Sequence, residues 1–260
     1  MTTLVLPGDA LPLPAPAPST TLHLHLGPGT AQSTRRTQAD EVEDDASKTF
    51  YVARKMGALQ TSNKRRKVRE GGSEVQTRIW VNVEAKRYVP AVGENVVGVV
   101  TGRQGEAFKV DIGTAQVAQL SQYAFEGATK QMKPRLETGT VVFARVTSAT
   151  RDMDPEIECV DPKDAKAGGY GQLKGGYVMD CSLQLCRRIM TTPLLATVIG
   201  ALNAPYETAI GMNGRLWING ASPLATIALK RVLEAVDRGI IEGDKESVEA
   251  WIKREGVAVR

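Results

Sequence analysis

Five short apolar runs, evenly spaced over residues 86–161, constrain the fold of this chain more than any other feature. Each run has β-type character, and glycines at 93, 98, 102, 105, 113 and 139 are placed for turns or tight corners. Short strands separated by turn residues are typical of a small barrel or sandwich. The pattern therefore predicts a small five-stranded β-barrel, whose strands are expected at 96–100, 107–112, 116–120, 141–146 and 156–160.

Side chains that catalysis or metal binding would need are scarce in this chain. Only two of the 260 residues are histidines, His23 and His25, and they alternate with leucines as the outward face of a strand would. The three cysteines, Cys159, Cys181 and Cys186, contain no C-x-x-C pair, which excludes a zinc ribbon and a disulfide framework and is typical of a reducing compartment. We therefore expect no cofactor and no resident metal.

Hydrophobic residues make up 42% of the chain, which is enough to form a buried core. No apolar run approaches the length of a membrane span, and the N-terminus lacks the basic start and apolar block of a secretion signal. We do not expect a membrane among the partners of this protein.

Residues 1–85 are predicted to form an N-terminal β domain with flexible insertions near 30–48 and 60–75, where polar and charged residues dominate. The second insertion holds a basic cluster. We interpret this cluster as a nuclear-import signal or a contact to an RNA backbone, or alternatively as a solvated hairpin tip. Its members are Lys64, Arg65, Arg66, Lys67 and Arg69.

Residues 162–260 change to a helical period after a glycine-rich run at 168–176, which predicts a flexible joint. Asn213-Gly214 lies between two apolar runs, and this is a strong hairpin signal. Ser222-Pro223 marks the start of a helix. The elements are expected in the order strand 177–181, helices 183–190 and 193–202, strands 206–210 and 215–218, and helices 222–237 and 245–255.

The barrel segment resembles an S1 RNA-binding domain, a member of the oligonucleotide-binding fold. The resemblance rests on Gly93-Glu94 with Gly98-Val99-Val100, on Ala107-Phe108 with Val110-Asp111-Ile112-Gly113, and on Gly139-Thr140-Val141-Val142 with Ala144-Arg145-Val146. S1 domains usually carry an aromatic ring on the second strand and a histidine on the third, and both stack on RNA bases. Phe108 matches the aromatic ring, whereas Ser121 takes the histidine position. The resemblance implies one stacking platform at Phe108, although a buried barrel position stays open for this ring.

Charge in the barrel segment is balanced, with nine basic and ten acidic residues. An RNA-facing surface must therefore come from segregation of the basic side chains. The loop 127–135 is basic and contains no acid, so it is the best candidate for phosphate contacts, with a solvated loop as the alternative. The candidate RNA-binding residues are Phe108, Arg103, Lys109, Lys130, Lys133, Arg135 and Arg145.

The element order of residues 162–260 is that of a KH domain, which usually clamps RNA with a G-x-x-G loop between its first two helices. Residues 188–197 contain no such loop, and a G-x-N-G run lies in the hairpin instead. The fold class is therefore α+β and mainly β: an N-terminal β domain (1–85), an S1-type barrel (86–161) and a KH domain (162–260).

An S1 domain followed by this unusual KH domain resembles the cap subunits of the RNA exosome, most closely the ribosomal RNA-processing protein 40 (exosome component 3) family. The resemblance rests on Lys86-Arg87-Tyr88-Val89-Pro90, Phe125-Glu126-Gly127-Ala128-Thr129-Lys130, Asp152-Met153-Asp154-Pro155-Glu156 and Gly211-Met212-Asn213-Gly214-Arg215-Leu216-Trp217. It implies that Gly211, Asn213, Gly214 and Trp217 are structural residues where the KH domain meets the S1 domain.

The resemblance further implies a non-catalytic subunit that docks on a ring of nuclease-like subunits and guides single-stranded RNA, without sequence preference, to a 3′→5′ exoribonuclease. The partners would be RNA, the ring subunits and other cap subunits, in nucleus, nucleolus and cytoplasm. One alternative is the sister S1–KH cap subunit, ribosomal RNA-processing protein 4. The others are a metal-dependent ribonuclease using Asp152 and Asp154, and a stand-alone RNA binder.

Overall fold

The computed structural model describes residues 3–12, 20–34, 49–67, 73–83, 85–129, 131–132, 134–150, 152–162, 164 and 166–256. The chain divides into two units, Met1–Glu84 and Ala85–Arg260, and the second contains both the barrel and the C-terminal α+β elements. The predicted α+β, mainly β class is confirmed, since the described part of the chain holds fifteen strands and four helices.

The first unit is built from six strands: β1 (Thr3–Val5), β2 (Thr20–Leu26), β3 (Thr30–Thr34), β4 (Thr49–Ala53), β5 (Gly57–Lys67) and β6 (Ser73–Asn82). Four strands form a sheet in the order β1-β5-β6-β2, in which β2 runs parallel to β6, and β3 pairs with β4. Apolar side chains from these strands and the adjoining turn form the core of this unit: Val5, Leu11, Ala53, Ile79 and Val81.

The predicted flexible insertions are wrong where the structure describes them. Thr30–Thr34 forms strand β3, because its polar residues pair with β4 in a regular register that sets Ala31 opposite Val52. The second insertion is mostly strand as well, since β5 and β6 stay paired out to Lys67 and Ser73. Residues 35–48 and 68–72 lie outside the described residues.

The basic cluster falls at the end of β5, and Lys64 is exposed there. Arg69 and the side chains of Arg65, Arg66 and Lys67 lie outside the described part of the chain.

The predicted five-stranded barrel is confirmed. Its strands are β7 (Asn95–Gln104), β8 (Ala107–Asp111), β9 (Ala118–Phe125), β10 (Val141–Ser148) and β11 (Glu156–Cys159). The strands are paired in the order β11-β9-β8-β7-β10, and a further antiparallel pairing of β10 with β11 closes the barrel. Gly98 allows this closure, because a Cβ atom there would lie 2.3 Å from Val110 Cγ1 inside the barrel.

The glycine-rich run at 168–176 is a fixed connection, so the predicted flexible joint is wrong. Gly171–Leu173 forms β12, which extends the barrel sheet by pairing with β10. The ring of Tyr170 stacks on Phe143 with centroids 5.1 Å apart, and its hydroxyl donates to Asn95 Oδ1 at 2.8 Å. Sequence reasoning missed these contacts, because glycines predict a turn but do not show which side chains pack against it.

The C-terminal elements appear in the predicted order: β13 (Tyr177–Asp180), α1 (Leu183–Thr191), α2 (Leu194–Leu202), β14 (Tyr206–Ile210), β15 (Arg215–Gly220), α3 (Pro223–Asp237) and α4 (Lys245–Glu255). The three strands form an antiparallel sheet in the order β13-β15-β14. Ser182 and Ser222 cap α1 and α3, since each hydroxyl accepts a backbone N–H in the first turn. The buried faces of the helices and the sheet form one core, which includes Leu185, Val198, Leu216, Leu229 and Val232.

Within the described residues, no single helix is long and apolar enough to cross a membrane. In the part of the chain that the structure describes, α1 and α2 together pass this length and composition test, and they are bent by 87° to one another.

Candidate nucleic-acid interface

Phe108 lies inside the barrel and is only 2% exposed, so the expectation that its ring stacks on RNA is wrong. The physical reason is strand alternation: Phe108 and Val110 face the core, while Lys109 between them is exposed. The ring packs with Val100, Leu120 and other buried residues of the barrel. Of the two interpretations of Phe108, the buried barrel position is the one that holds.

The outward face of β8 and β9 carries Lys109, Gln119, Ser121 and Tyr123. Lys109 lies opposite Gln119, and the next outward position, Ser121, is exposed. Tyr123 is 37% exposed, and its hydroxyl lies 3.0 Å from Glu106 Oε1. Sequence reasoning missed Tyr123, because the predicted third strand ended at residue 120, three residues before this ring. Extending the period-2 alternation to residue 123 would have found it.

Arg103 lies at the end of the barrel and not on the face of Lys109. It pairs in register with Phe108, and its Nε atom donates to the carbonyl of Gly105 at 3.1 Å. The side chain of Gln122 is buried. With its carboxamide oxygen turned toward Arg103, this oxygen accepts from the Nε atom at 2.7 Å and from the Nη2 atom at 2.8 Å. Arg103 therefore completes the hydrogen bonds of a buried amide at the mouth of the barrel.

Arg145 lies on a different surface, in β10. It pairs with Asn95 of β7 and Glu158 of β11, and its Nε atom donates to the carbonyl of Gly93 at 3.4 Å. Arg135 is exposed in the segment before β10, while Lys130 and Lys133 lie outside the described residues. The structure thus distributes the described basic candidates around the barrel and does not bring Arg103, Lys109 and Arg145 together.

The Gly211–Gly214 turn joins the C-terminal sheet to the barrel. The register of β7 with β8 begins at Val99, so the preceding part of β7 has no β8 partner. The turn takes that place: Met212 N donates to Asn95 O at 2.8 Å, and the Asn213 carboxamide bonds both backbone groups of Val97.

Asn213 makes three hydrogen bonds and is 7% exposed. Its Oδ1 atom accepts from Val97 N at 3.2 Å, and its Nδ2 atom donates to Val97 O at 2.8 Å and to Ile112 O at 3.0 Å. An ionised aspartate could accept from Val97 but could not donate to either carbonyl, which explains why an amide occupies this position.

The two glycines of this turn are required by space and backbone conformation. A Cβ atom on Gly211 would lie 2.7 Å from Val97 N. Gly214 has φ +78°, and a Cβ atom there would lie 2.8 Å from Cys181 O. These glycines therefore allow the turn to pack closely against the barrel at Gly211 and against Cys181 at Gly214.

Arg215 adds an ion pair to the same contact. Its guanidinium donates to Asp111 O and to Asp111 Oδ2, both at 2.7 Å. Partial burial works to raise the pKa of Asp111, but hydrogen bonds from Arg215 and from Gly113 N, with the positive charge of Arg215, outweigh it and lower the pKa below its ordinary value.

Trp217 contributes the apolar part of the contact. It forms a cluster with Val97 of the barrel and Ala209 of β14, against which Val141, Phe143 and Leu173 pack. Its indole Nε1 donates to Gly175 O at 2.9 Å. The structure thus brings Gly211, Asn213, Gly214 and Trp217 together where the barrel and the C-terminal elements meet.

The sequence predicted that the G-x-x-G loop usual in KH domains is missing between the first two helices, and the structure has only Thr192 and Pro193 between α1 and α2. Asp152 and Asp154 are exposed before β11, and Asp154 Oδ2 accepts from Gln119 Nε2 at 3.1 Å. Among the described residues, no three His, Cys, Asp or Glu side chains lie close enough to hold a metal ion.

Comparison with known proteins places these features in a family. Residues 88–171 match the model of the S1 domain of exosome complex component RRP40, and residues 176–224 match a KH domain model. The exosome complex component RRP40 of Saccharomyces cerevisiae is 30% identical over 237 residues, which is 90% of this chain and 88% of that protein. This chain belongs to the RRP40 family.

Other RRP40 relatives match over shorter regions. The protein of that name from Drosophila melanogaster is 38% identical over 169 residues, covering 64% of this chain and 72% of the relative. The protein from Schizosaccharomyces pombe is 42% identical over 151 residues, 57% of this chain. The matched region spans only 62% of the S. pombe relative and 65% of a Dictyostelium discoideum relative. The RRP40 match decides against the sister cap subunit as the family of this chain.

A crystal structure titled as an exosome complex RNA-binding protein shares the fold. It superposes with a TM-score of 0.55 at 20% identity and covers 66% of this chain and 98% of its own length. At this identity the likeness concerns the fold alone.

Proposed function

We propose that this chain is a non-catalytic RNA-binding cap subunit of the RNA exosome. It docks on the subunit ring and guides single-stranded RNA into the central channel for 3′→5′ processing and degradation, including ribosomal RNA maturation. The observation that carries the proposal is the RRP40-type S1 barrel joined to a KH domain. The glycine turn of this KH domain packs against the barrel.

The barrel surface supports weak binding of RNA without sequence preference. Lys109 offers one cation on the face shared with Tyr123, and Glu106 is close to the Tyr123 hydroxyl. Exposed Arg135 and the undescribed Lys130 and Lys133 would add phosphate contacts from one loop. Few cations spread over the surface give low affinity, which suits a passage through which RNA must slide.

We further propose that the protein works in nucleus, nucleolus and cytoplasm. The basic cluster at residues 64–69 supports nuclear import, because Lys64 is exposed at the end of β5. The same proposal includes contacts of this chain with the ring subunits and with the other cap subunits. The chain guides RNA and does not cleave it.

The alternative from a different class is a metal-dependent ribonuclease. Asp152 and Asp154 are its candidate ligands, yet Asp154 is bonded to Gln119, and no group of three metal ligands occurs in the described ranges. These observations give the nuclease no support and favour the non-catalytic proposal.

RNA binding by the full chain tests the proposal directly. Fluorescence anisotropy with a labelled single-stranded RNA is expected to show weak binding, similar for unrelated sequences, that falls as salt rises. Lys109→Ala is expected to weaken binding and to reduce the slope of log affinity against log salt by about 0.7, the value for one phosphate contact on a single strand.

The matched control is Lys253→Ala, which removes an exposed lysine from α4 and is expected to leave the slope unchanged. Tight, sequence-selective binding by the isolated chain would contradict the proposal. RNA cleavage in the presence of magnesium or manganese that disappears in Asp152→Asn would instead establish the nuclease.

A further inference from the structure

Two cysteines lie side by side where β13 ends and α1 begins. The Sγ atoms of Cys181 and Cys186 are 3.3 Å apart, and both thiols are free. Cys181 is half-buried, whereas Cys186 is fully buried in the first turns of α1. Cys159, the third cysteine, is buried in the barrel core, so it offers an internal reference.

The two thiols have different electrostatic surroundings. The hydrogen bond from Cys181 lowers the pKa of Cys186 against the effect of burial, and Gly214 N–H and Arg187 also act to lower it. The same hydrogen bond raises the pKa of Cys181, as do burial and the charges of Cys186, Asp237 and Asp180. Either sulfur can donate in this hydrogen bond, so the two thiols titrate as a pair.

We propose that Cys181 and Cys186 form a redox-active dithiol, which closes to an intramolecular disulfide by exchange with a small-molecule disulfide such as oxidised glutathione. Half-buried Cys181 is the entry point: its thiolate attacks one sulfur of glutathione disulfide, the S–S bond breaks, and the proton given up by Cys181 ends on the released glutathione. The thiolate of buried Cys186 then attacks Cys181 Sγ, and the second glutathione leaves with the proton that Cys186 gave up. The protein loses two hydrogens, and one disulfide is reduced to two thiols.

This chemistry suits the compartment predicted from the sequence. Disulfides in a reducing cell are usually transient and serve catalysis or redox sensing, whereas structural disulfides are rare there. The attacking sulfur must be both a thiolate and accessible to the incoming disulfide, and half-buried Cys181 is the accessible one. Because the pKa of Cys181 is raised, we expect the exchange to become faster as the pH rises.

The position of the dithiol ties it to the Gly211–Gly214 turn. Cys181 N donates to Gly214 O at 2.8 Å, and a Cβ atom on Gly214 would lie 2.8 Å from Cys181 O. A disulfide needs its sulfurs about 2.0 Å apart, and they are 3.3 Å apart here, so at least one of the two residues must shift when the bond forms. We expect the shift to change the hydrogen-exchange protection of residues 211–214.

Mass spectrometry of the full chain in glutathione buffers of increasing oxidised fraction tests the proposal. The native protein is expected to lose two hydrogens and to yield a peptide linking Cys181 with Cys186, while Cys159 remains free for alkylation after unfolding. Cys186→Ala is expected to keep glutathione attached at Cys181, because the resolving thiol is gone. Cys181→Ala is expected to acquire no glutathione, because Cys186 is buried.

Cys159→Ala is the matched control and is expected to form the disulfide as the wild type does. The proposal is overturned if all three thiols of the native protein stay free under oxidising ratios, or if glutathione attaches to Cys186 in Cys181→Ala. The link to the turn is overturned if oxidation leaves hydrogen exchange at residues 211–214 unchanged.

Discussion

At the scale of single residues, Asn213 links the barrel and the KH domain through three hydrogen bonds. Its carboxamide replaces a missing strand partner for Val97 and also holds Ile112 O. A side chain must both accept and donate to do this, and it must be short enough for the turn. The G-x-N-G run is therefore a structural signature of the S1–KH contact in this chain.

Asn213→Ala is expected to lower the free energy of unfolding by about 3–5 kcal/mol, because it leaves buried backbone groups of Val97 and Ile112 without partners. Urea denaturation of the full chain measures this loss. Asn219→Ala is the control, since Asn219 bonds Glu207 in an exposed pair, and we expect a change within about 0.5 kcal/mol. Equal effects of the two substitutions would contradict the role given to Asn213.

Gly214→Ala separates backbone conformation from close packing. Gly214 and Gly239 both have positive φ, but a Cβ atom meets Cys181 O at Gly214 and nothing within 4 Å at Gly239. We expect Gly239→Ala to cost about 1 kcal/mol for the left-handed backbone. Gly214→Ala should cost about 2–4 kcal/mol, because overpacking is added. Similar thermal unfolding midpoints for both variants would show that the packing at Gly214 is loose.

At the scale of elements, strand alternation decides which side chains of the barrel face outward. The sequence placed the barrel strands well, since the spacing of apolar runs and glycines reflects the physics of a small closed sheet. It could not place Phe108, because whether a ring faces the core depends on the barrel closing around it. The same limit applies to residues 168–176, where distant side chains such as Phe143 and Trp217 hold the glycine-rich segment.

The ion pair between Arg215 of β15 and Asp111 of β8 gives the contact of the two domains a pH dependence. The folded pKa of Asp111 is lowered, so its contribution to stability is present above about pH 4, its unfolded pKa, and is lost as pH falls through the folded value. Asp111→Asn is expected to remove this acid-dependent component. Asp180 is a more exposed and more distant partner of Arg215, so Asp180→Asn is expected to change the acid dependence much less. Denaturation midpoints measured from pH 6 down to about pH 3 test this. Identical pH profiles for wild type and Asp111→Asn would refute the assignment.

At the scale of the whole molecule, the domain order and the family could be predicted from the sequence, because many short motifs occur together in the right order. The RRP40 S1 match and the 30% identity over 237 residues confirm the family. The family resemblance implied that Asn213 lies where the two modules meet, but its partner Val97 could not be predicted, since the two positions are 116 residues apart. The sequence also could not show that Arg103, Lys109 and Arg145 lie on different parts of the barrel, because charge in sequence does not show which side of a closed barrel a side chain takes.

The proposed role requires that this chain act inside a larger assembly, because a non-catalytic cap subunit depends on other subunits to degrade the RNA. Affinity capture of the tagged full chain from native cell extract, followed by mass spectrometry and size-exclusion chromatography, tests that claim most directly. We expect the chain to co-elute with the ring and cap subunits of an exosome at the size of a multisubunit complex. Recovery of the chain as a monomer, without these subunits, would contradict the account.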